Sequence, residues 1–260
     1  MCVLALAWQA HPRWRLVLAG NRDEFHARPT ASLARWADAP GVLAGRDLQS
    51  GGTWAGINDS GAMAVVTNVR DLSALKPRAP SRGALVAGFL RQDRPAAGAA
   101  AALVAQAAAY APFNLLLADA TGCAFVGNHP DARHEPLAPG IHGLSNGNDL
   151  QAPWPKTVRL MSALADWTAR DDNDLDSLWS ALADDQPATD AALPDTGIGL
   201  ARERMLSPVF IRDTVYGTRA STVIAIDHDG QGWIRERRFG PNGVAQGETT
   251  LHNQPSGLSA

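Results

Sequence analysis

The chain has 260 residues, 45% of them hydrophobic, and a formal net charge of −3 at pH 7. This length and apolar content allow an ample core, and we expect a single domain over residues 1–260. The weak negative charge excludes the electrostatic pattern of a nucleic-acid-binding protein. No run of about 18 apolar residues is present, so we expect no transmembrane segment. The two cysteines and the lack of a secretory signal favour the cytoplasm, and the sequence leaves the oligomeric state open.

Hydrophobic patterning predicts strands that cluster in hairpins and helices that cluster in pairs. The predicted strands are 2–8, 16–23, 54–58, 62–68, 113–118, 123–127, 141–146, 220–227 and 232–239. The predicted helices are about 81–91, 95–110, 154–169 and 173–183, with a loop over 184–199 and a weakly patterned tail over about 241–260. This order argues against alternating strands and helices, and for antiparallel sheets covered by helices. On the third helix, Trp154, Val158, Met161 and Ala165 share the face that we expect to be buried.

Cys2 directly follows the initiator methionine and begins an apolar run that is typical of a buried strand. Removal of Met1 would leave Cys2 with a free α-amine, so one residue would carry both a nucleophile and its base. An α-amine titrates near pH 8 (roughly 7.7–8.0), so a fraction of it can accept a proton at neutral pH. The alternative is a frayed terminus, against which the strand character argues.

Strand 16–23 ends in Asn21-Arg22-Asp23. Alternation places Asn21 and Asp23 on one face of the strand and Arg22 on the other. If this strand pairs with residues 2–8, Asp23 can lie near Cys2 and hold its α-amine. The alternative is a charged strand end in contact with solvent, since the two look alike in sequence.

Three further polar residues stand at strand ends. Asn68 and Asn146 offer neutral amide donors that suit an oxyanion hole, although asparagine at such positions is also common turn chemistry. Arg219 could lower the pKa of a thiol or hold a substrate carboxylate, or it could form a surface salt bridge.

One motif points to a different nucleophile. Gly143-Leu144-Ser145-Asn146-Gly147 fits the G-x-S-x-G elbow of α/β-hydrolases. The elbow needs a helix immediately after it, and residues 148–153 intervene, so a hydrolase using Ser145 is the least favoured reading. The histidine spacing indicates no zinc site, and we expect Cys123 to be a core residue.

Taken together, several separated segments resemble the NRDE family, the family of the transport and Golgi organisation protein 2. They are Met1-Cys2, Ala19-Gly20-Asn21-Arg22-Asp23-Glu24-Phe25 with Arg28-Pro29, residues 51–58, 66–68 and 143–146, and Tyr216-Gly217-Thr218-Arg219-Ala220-Ser221-Thr222. The resemblance covers residues 1 to about 240. It implies an α+β fold related to N-terminal nucleophile hydrolases, an αββα sandwich of two antiparallel sheets between helix layers.

The same resemblance extends more distantly to choloylglycine hydrolase and penicillin V acylase. It implies that Cys2 is the nucleophile, that Asn68 and Asn146 are oxyanion donors, and that Arg219 matches a late active-site arginine. That group carries Arg-Asn-x-Asp on its second strand. Here Gly20 stands at the arginine position, and we expect Arg22 on the strand face opposite Asn21 and Asp23. This departure from the motif argues against an arginine beside the thiol.

We therefore expect a hydrolase that cleaves a linear amide or acyl substrate through a thioester on Cys2. Asp23, Asn68, Asn146 and Arg219 would complete the catalytic set, with Asn21, Arg22 and Trp54 in supporting or substrate-binding positions. No cofactor or metal is expected, and the partner is a small acyl amide or a lipid-like ligand. The alternative is a non-catalytic protein that binds or carries lipid, acyl groups or haem, for which Trp8, Trp14, Trp36 and Trp54 could line an apolar pocket. Family links to lipid and acyl-coenzyme A metabolism and to haem trafficking motivate that alternative.

Overall fold

The computed structural model describes residues 2–74, 76, 78–148, 150, 152–170 and 174–255. Thirteen β-strands are found in these residues: β1 Cys2–Trp8, β2 Trp14–Phe25, β3 Thr30–Trp36, β4 Ala39–Asp47, β5 Ala55–Asn58, β6 Met63–Asn68, β7 Phe113–Ala118, β8 Cys123–Gly127, β9 Arg133–Pro136, β10 Gly140–Leu144, β11 Tyr216–Asp227, β12 Gly232–Phe239 and β13 Ala245–His252. The same residues contain five α-helices: α1 Gly83–Leu90, α2 Ala96–Val104, α3 Pro155–Thr168, α4 Asp176–Leu182 and α5 Leu200–Met205.

The strands form two antiparallel sheets. The six-stranded sheet has the order β10-β1-β2-β11-β12-β13, so the N-terminal strand lies inside the sheet with a partner on each side. The seven-stranded sheet runs from β3 to β9 in sequence order. Tight turns make such a meander possible, as between β5 and β6, where Gly61 adopts a φ of +74° that favours glycine.

Apolar side chains fill three layers, which together make an αββα sandwich. The layer between the sheets contains Leu4, Leu18, Ile57 and Phe125 among others. The outer face of the six-stranded sheet packs on α3 and α4, and that of the seven-stranded sheet on α1 and α2. The expected fold class, an αββα sandwich, is therefore confirmed. Burial of each large core side chain contributes roughly 1.5–3 kcal/mol to folding.

Several elements differ from their sequence-based predictions. The predicted weak tail contains β13, which pairs with β12 along its length. β3, β4 and β9 were not predicted, and α5 lies just after the predicted loop. The predicted helix over about 95–110 ends as α2 at Val104, with a short 3₁₀ turn over 107–109. The predicted start of α4 near residue 173 lies outside the described residues.

The buried face of α3 also differs from the prediction. Val158 is exposed, and Lys156, Thr157, Leu160, Leu164 and Trp167 are buried instead. Two of these five residues are polar, so an apolar stripe could not reveal this face. Among the helices in the described parts of the chain, none combines the length and the apolar character that a membrane span requires.

Candidate active site

A cavity of about 570 Å³ opens beside the start of β1. This volume is within the usual range for small-molecule sites. Cys2, Asp23, Asn68 and Arg219 of the predicted catalytic set line it, together with the predicted supporting residues Arg22 and Trp54. Asn146 and Asn21 are not on its wall. The structure thus brings most of the predicted site residues to one place.

Cys2 is the first residue of β1, an inner strand of the six-stranded sheet. It is 7% exposed, and its carbonyl oxygen accepts a hydrogen bond of 2.9 Å from Ser145 Oγ. Burial raises the pKa of the Cys2 thiol, and the Asp23 carboxylate acts in the same direction. Arg22 acts the other way. The thiol is therefore held mainly in its neutral form, so a nucleophilic role requires a base beside it.

The strand register corrects the expectation for Arg22. Cys2 lies directly opposite Arg22 in the β1–β2 pair, and directly opposed residues project from the same face of a sheet. Alternation within β2 does separate Arg22 from Asn21 and Asp23. The register nevertheless places Arg22, and not its two neighbours, on the face of Cys2. An arginine therefore does lie beside the thiol.

Asp23 is fully buried next to the terminus of β1. Its Oδ1 accepts a hydrogen bond of 2.7 Å from Thr218 Oγ1, and Tyr216 donates its hydroxyl to the Asp23 carbonyl at 3.0 Å. Burial raises the pKa of the Asp23 carboxyl, and Lys156 is the strongest of the groups that lower it. This carboxylate is thus buried at a cost that neighbouring cations offset.

Lys156 is the buried cation in this environment. It lies in the first turn of α3, is 1% exposed, and donates from Nζ to the Leu206 carbonyl at 3.1 Å. Burial lowers its pKa to about 8, and Asp23 is the strongest of the groups that oppose the change. A buried lysine requires a compensating carboxylate, and Asp23 supplies that charge.

The two asparagines occupy different positions. Asn68 ends β6 and lines the cavity, whereas Asn146 is 1% exposed and donates from Nδ2 to the Asn68 carbonyl at 2.7 Å. The carbonyl of Asn146 in turn accepts from the backbone of Arg70 at 2.8 Å. Asn146 therefore fixes the strand end that carries Asn68.

Arg219 stands at an irregular point of β11. The register of β11 against β2 shifts between Thr218 and Ala220, as at a β-bulge, which redirects a side chain. Arg219 reaches the cavity wall, where Nη1 donates to the carbonyls of Phe25 and Arg28 at 2.9 and 3.0 Å. The bulge thus separates it from Thr218, which is bonded to Asp23.

Asn21 has a structural place on the helix side of β2. Its Nδ2 donates to the carbonyls of Leu182 and Val209, both at 2.8 Å, and its Oδ1 accepts from Ser221 Oγ at 2.7 Å. These bonds join β2 to β11 and to the segments outside the sheet.

The elbow reading of Ser145 does not fit the fold. Its hydroxyl is buried and bonded to the Cys2 carbonyl, and α3 begins only at Pro155. The fold is an antiparallel sandwich and not the parallel sheet that carries such elbows.

Two cations near the site were missed by sequence reasoning. Arg82 lines the cavity and interacts electrostatically with Cys2, while burial lowers its pKa. The other is Lys156, one of only two lysines in the chain. The scarcity of lysine was a usable signal for Lys156, whereas nothing around Arg82 sets it apart from the other arginines. No group of three or more metal-binding side chains occurs among the described residues.

Comparison with known proteins gives one family over most of the chain. The family model described as Transport and Golgi organisation 2 matches residues 1–241. The Transport and Golgi organization protein 2 homolog of Bos taurus is 33% identical over 280 residues, which cover 97% of this chain and 98% of that protein.

Solved structures resemble the chain in fold alone. A Caenorhabditis elegans ortholog of N-acylethanolamine-hydrolyzing acid amidase has a TM-score of 0.52 at 12% identity, covering 88% of this chain and 93% of that one. The C2A mutant of the conjugated bile acid hydrolase from Clostridium perfringens has a TM-score of 0.51 at 7% identity, covering 96% and 92%. Both structural neighbours have the architecture of N-terminal nucleophile hydrolases.

Proposed function

The chain belongs to the transport and Golgi organisation 2 family, and from that premise we propose that it is a hydrolase of linear amide bonds that uses Cys2 as an N-terminal nucleophile. One observation carries the proposal. Cys2 begins an inner, fully buried strand and lines a cavity. The buried Asp23 follows Arg22, which is the register partner of Cys2 in β2. A terminal thiol that is rigid, and not frayed, suits a nucleophile.

The proposed reaction begins after Met1 is removed. The α-amine of Cys2 accepts the thiol proton, and the sulfur attacks the amide carbonyl carbon to give a tetrahedral oxyanion. Collapse breaks the carbon–nitrogen bond, and the amine proton passes to the leaving nitrogen. Water then adds to the thioester with the α-amine as base, releasing the acid and restoring the thiol.

Each neighbouring group has a part in this proposal. Asp23 holds and orients the α-amine and, as an anion, favours its protonated form. Asn68, which lines the cavity, donates its side-chain amide to the oxyanion. Asn146 positions Asn68 by donating a hydrogen bond to the backbone carbonyl of Asn68. Arg22 offsets the burial that disfavours the thiolate. The two structural neighbours are named as an acid amidase and as the C2A mutant of a conjugated bile acid hydrolase. Both names describe hydrolases, which supports hydrolysis as the reaction class.

The test compares two cysteines. Intact mass first shows whether Met1 is absent, and a panel of fluorogenic N-acyl amides then reports hydrolysis. We expect Cys2→Ala to lower kcat/KM by about three orders of magnitude or more, as loss of a nucleophile does, and an acyl adduct to appear by mass on wild-type Cys2. Cys123→Ala is the control, because Cys123 is buried in the core and away from the cavity. Hydrolysis at the wild-type rate by Cys2→Ala would end the proposal.

Binding without turnover has weaker support. Trp54 lies on the cavity wall, but Trp8, Trp14 and Trp36 belong to the hydrophobic cores. The described wall contains no histidine, and Cys2 is its one thiol. Seven cationic and four acidic side chains also line it, so the residues present do not fit haem, whose macrocycle needs apolar walls and an axial ligand. A hemin titration without a saturable shift of the Soret band is the expected result.

A further inference from the structure

The cavity beside Cys2 carries an excess of positive charge. The described wall contains seven cationic side chains and four carboxylates, although the whole chain has a net charge of −3. A concave wall with a net charge of one sign concentrates ligands of the opposite sign. The question is which of these cations are already neutralised within the protein.

Three of the arginines have carboxylate partners. Arg28 pairs with Asp47 at 2.6 Å, Arg46 with Asp38 at 2.7 Å, and Arg238 lies 3.9 Å from Glu236. These pairs are complete without a ligand, so they do not account for the excess charge.

The seventh cation, Lys76, is exposed and donates Nζ to the Ala108 carbonyl at 2.6 Å. Arg22, Arg82 and Arg219 form a different group, which we call the unpaired arginines. None of them has a salt-bridge partner among the described residues. Arg82 donates Nη1 to the Pro112 carbonyl at 3.1 Å, and Arg219 donates to two carbonyls. A carbonyl satisfies an N–H group but carries no full negative charge. Glu24 interacts electrostatically with both arginines, but it forms a salt bridge with neither among the described residues.

Arg22 is the most informative member. It is 8% exposed, and its Nη1 is buried without a hydrogen-bond partner among the described residues. It projects from the strand face of Cys2 and lines the same cavity. Arg22 and Arg219 also repel each other electrostatically. Asp23 and Glu236 interact electrostatically with Arg22, but neither forms a salt bridge with it among the described residues. A buried guanidinium whose Nη1 has no hydrogen-bond partner is costly and calls for an explanation.

We propose that the unpaired arginines bind a carboxylate or phosphate group of the substrate, with Arg22 in direct contact beside the scissile bond. Guanidinium groups match both anions with paired hydrogen bonds. This inference rests on the proposed function for its reaction, and it narrows the substrate class to acyl amides with an anionic group near the amide. A neutral or cationic amide offers no anion to the buried Nη1 of Arg22, which has no hydrogen-bond partner among the described residues.

The first test uses two alkylating reagents of similar shape on protein that has lost Met1. Iodoacetate carries a carboxylate where iodoacetamide carries an amide, and each modifies the Cys2 sulfur with loss of iodide. The ratio of their rates at Cys2, read by peptide mass, measures anion attraction without any turnover. We expect Arg22→Gln to lower the iodoacetate-to-iodoacetamide ratio by about tenfold, as loss of one nearby charge in a partly buried site implies.

Arg46→Gln is the matched control, since it removes the same charge from the same wall. Asp38 would keep Arg91 as a partner at 2.6 Å, so we expect the ratio to stay within about twofold of wild type. An equal ratio in wild type and Arg22→Gln would overturn the inference. If Arg22→Gln does not fold, Arg82→Gln and the salt dependence of the wild-type ratio take its place, with the same expected fall.

A second measurement identifies the anion. Protection of Cys2 from iodoacetamide is followed with N-acetylglycine, with its neutral analogue N-acetylglycinamide and with inorganic phosphate. Protection by N-acetylglycine alone indicates a carboxylate, and protection by phosphate indicates a phosphoryl group. Equal protection by the acid and its neutral amide, or protection by no anion, would overturn the inference. If no amide is hydrolysed but Arg22→Gln still lowers the iodoacetate-to-iodoacetamide ratio, the proposed function is wrong and the anion site stands.

Discussion

At the scale of single residues, the site depends on charges that are buried together. Burial raises the pKa of the Cys2 thiol and of the Asp23 carboxyl and lowers that of Lys156 to about 8. Each group is thus biased towards its neutral form, and its neighbours oppose the bias. Lys156 lowers the pKa of Asp23, so in the proposed reaction it acts as a positioning residue that keeps Asp23 an anion without touching the substrate.

Replacement of Lys156 tests this dependence. Lys156 lowers the pKa of Asp23, so Lys156→Met will raise that pKa further. Asp23 will then stay protonated up to a higher pH and release the α-amine. We expect the acidic limb of the kcat/KM profile to move to higher pH, measured with the best amide of the panel.

Lys76→Met is the matched control for that prediction. Lys76 is exposed and donates to the Ala108 carbonyl, and it is not among the groups that shift the pKa of Asp23. Its profile should keep the wild-type limb. An unmoved limb in Lys156→Met would show that Asp23 does not depend on Lys156.

At the scale of elements, the sequence predicts features that lie within a single strand or helix. It does not predict features that depend on how two strands pair. The apolar β1 and the alternation in β2 were recognisable. The register that sets Arg22 opposite Cys2 is a property of two strands, so one strand's pattern could not contain it.

The missed strands have similar causes. β3 pairs with β4 through two register shifts, which break the two-residue period that a strand prediction requires. β13 is largely exposed and has no apolar alternation, so its pairing with β12 alone makes it a strand. Of the predicted site residues, Cys2, Asp23, Asn68 and Arg219 were singled out by their strand positions and by the family resemblance, and the structure places all four on the cavity wall. Arg82, on the same wall, had no local signal.

Helix α1 lies very close to the loop before β5, and the contact is between Gly83 and Gly52. A Cβ on Gly52 would lie 2.4 Å from the carbonyl carbon of Gly83, which begins α1. Backbone cannot yield as a flexible side chain does, so we expect Gly52→Ala to lower the free energy of unfolding by about 1–3 kcal/mol. Arg82 precedes Gly83, so the cavity wall should change as well.

Gly88→Ala is the opposite case within α1. No atom lies within 4 Å of a Cβ at Gly88, and alanine is the better helix former. We expect a gain of about 0.5–1 kcal/mol. Urea unfolding of both variants gives the comparison, and a loss of stability in Gly88→Ala would contradict the packing described for α1.

At the scale of the whole molecule, the site lies where the two sheets are tied together. Asn146 follows β10 of one sheet and bonds to Asn68 of β6 in the other. Asn114 of β7 donates to the Gly147 carbonyl at 2.8 Å. The Arg70–Glu203 ion pair, at 2.6 Å and with side chains 7% and 4% exposed, joins the segment after β6 to α5. The first two links hold the end of β10, the neighbour of β1, against the strands of the other sheet.

Breaking that ion pair should weaken the whole fold. Glu203→Ala leaves the Arg70 guanidinium buried, so we expect the free energy of unfolding to fall by about 3–5 kcal/mol. The double variant Arg70→Met with Glu203→Ala should lose less than the single variant, because no unpaired charge remains.

The control is an exposed pair of the same kind. Arg204 and Asp190 are both 52% exposed, so solvent screens their attraction, and Asp190→Ala should change the unfolding free energy far less than Glu203→Ala does. Urea titration measures all three variants. A cost for Glu203→Ala no larger than that for Asp190→Ala would mean that the buried pair does not join these segments.

The inner position of β1 also sets an order of events during synthesis. Where Met1 is the initiator residue, Cys2 leaves the ribosome among the first residues, whereas its neighbour strand β10 begins at Gly140 and Ser145 lies beyond that strand. Until those residues emerge, the terminus is accessible to an aminopeptidase. After β1 has partners on both sides, Cys2 is 7% exposed and lines the cavity, which a small reagent can enter but which does not offer the extended terminus that an aminopeptidase binds. If Cys2 is the nucleophile, Met1 must therefore be removed before β1 is paired on both sides. A chain that folds with Met1 still attached remains an inactive precursor.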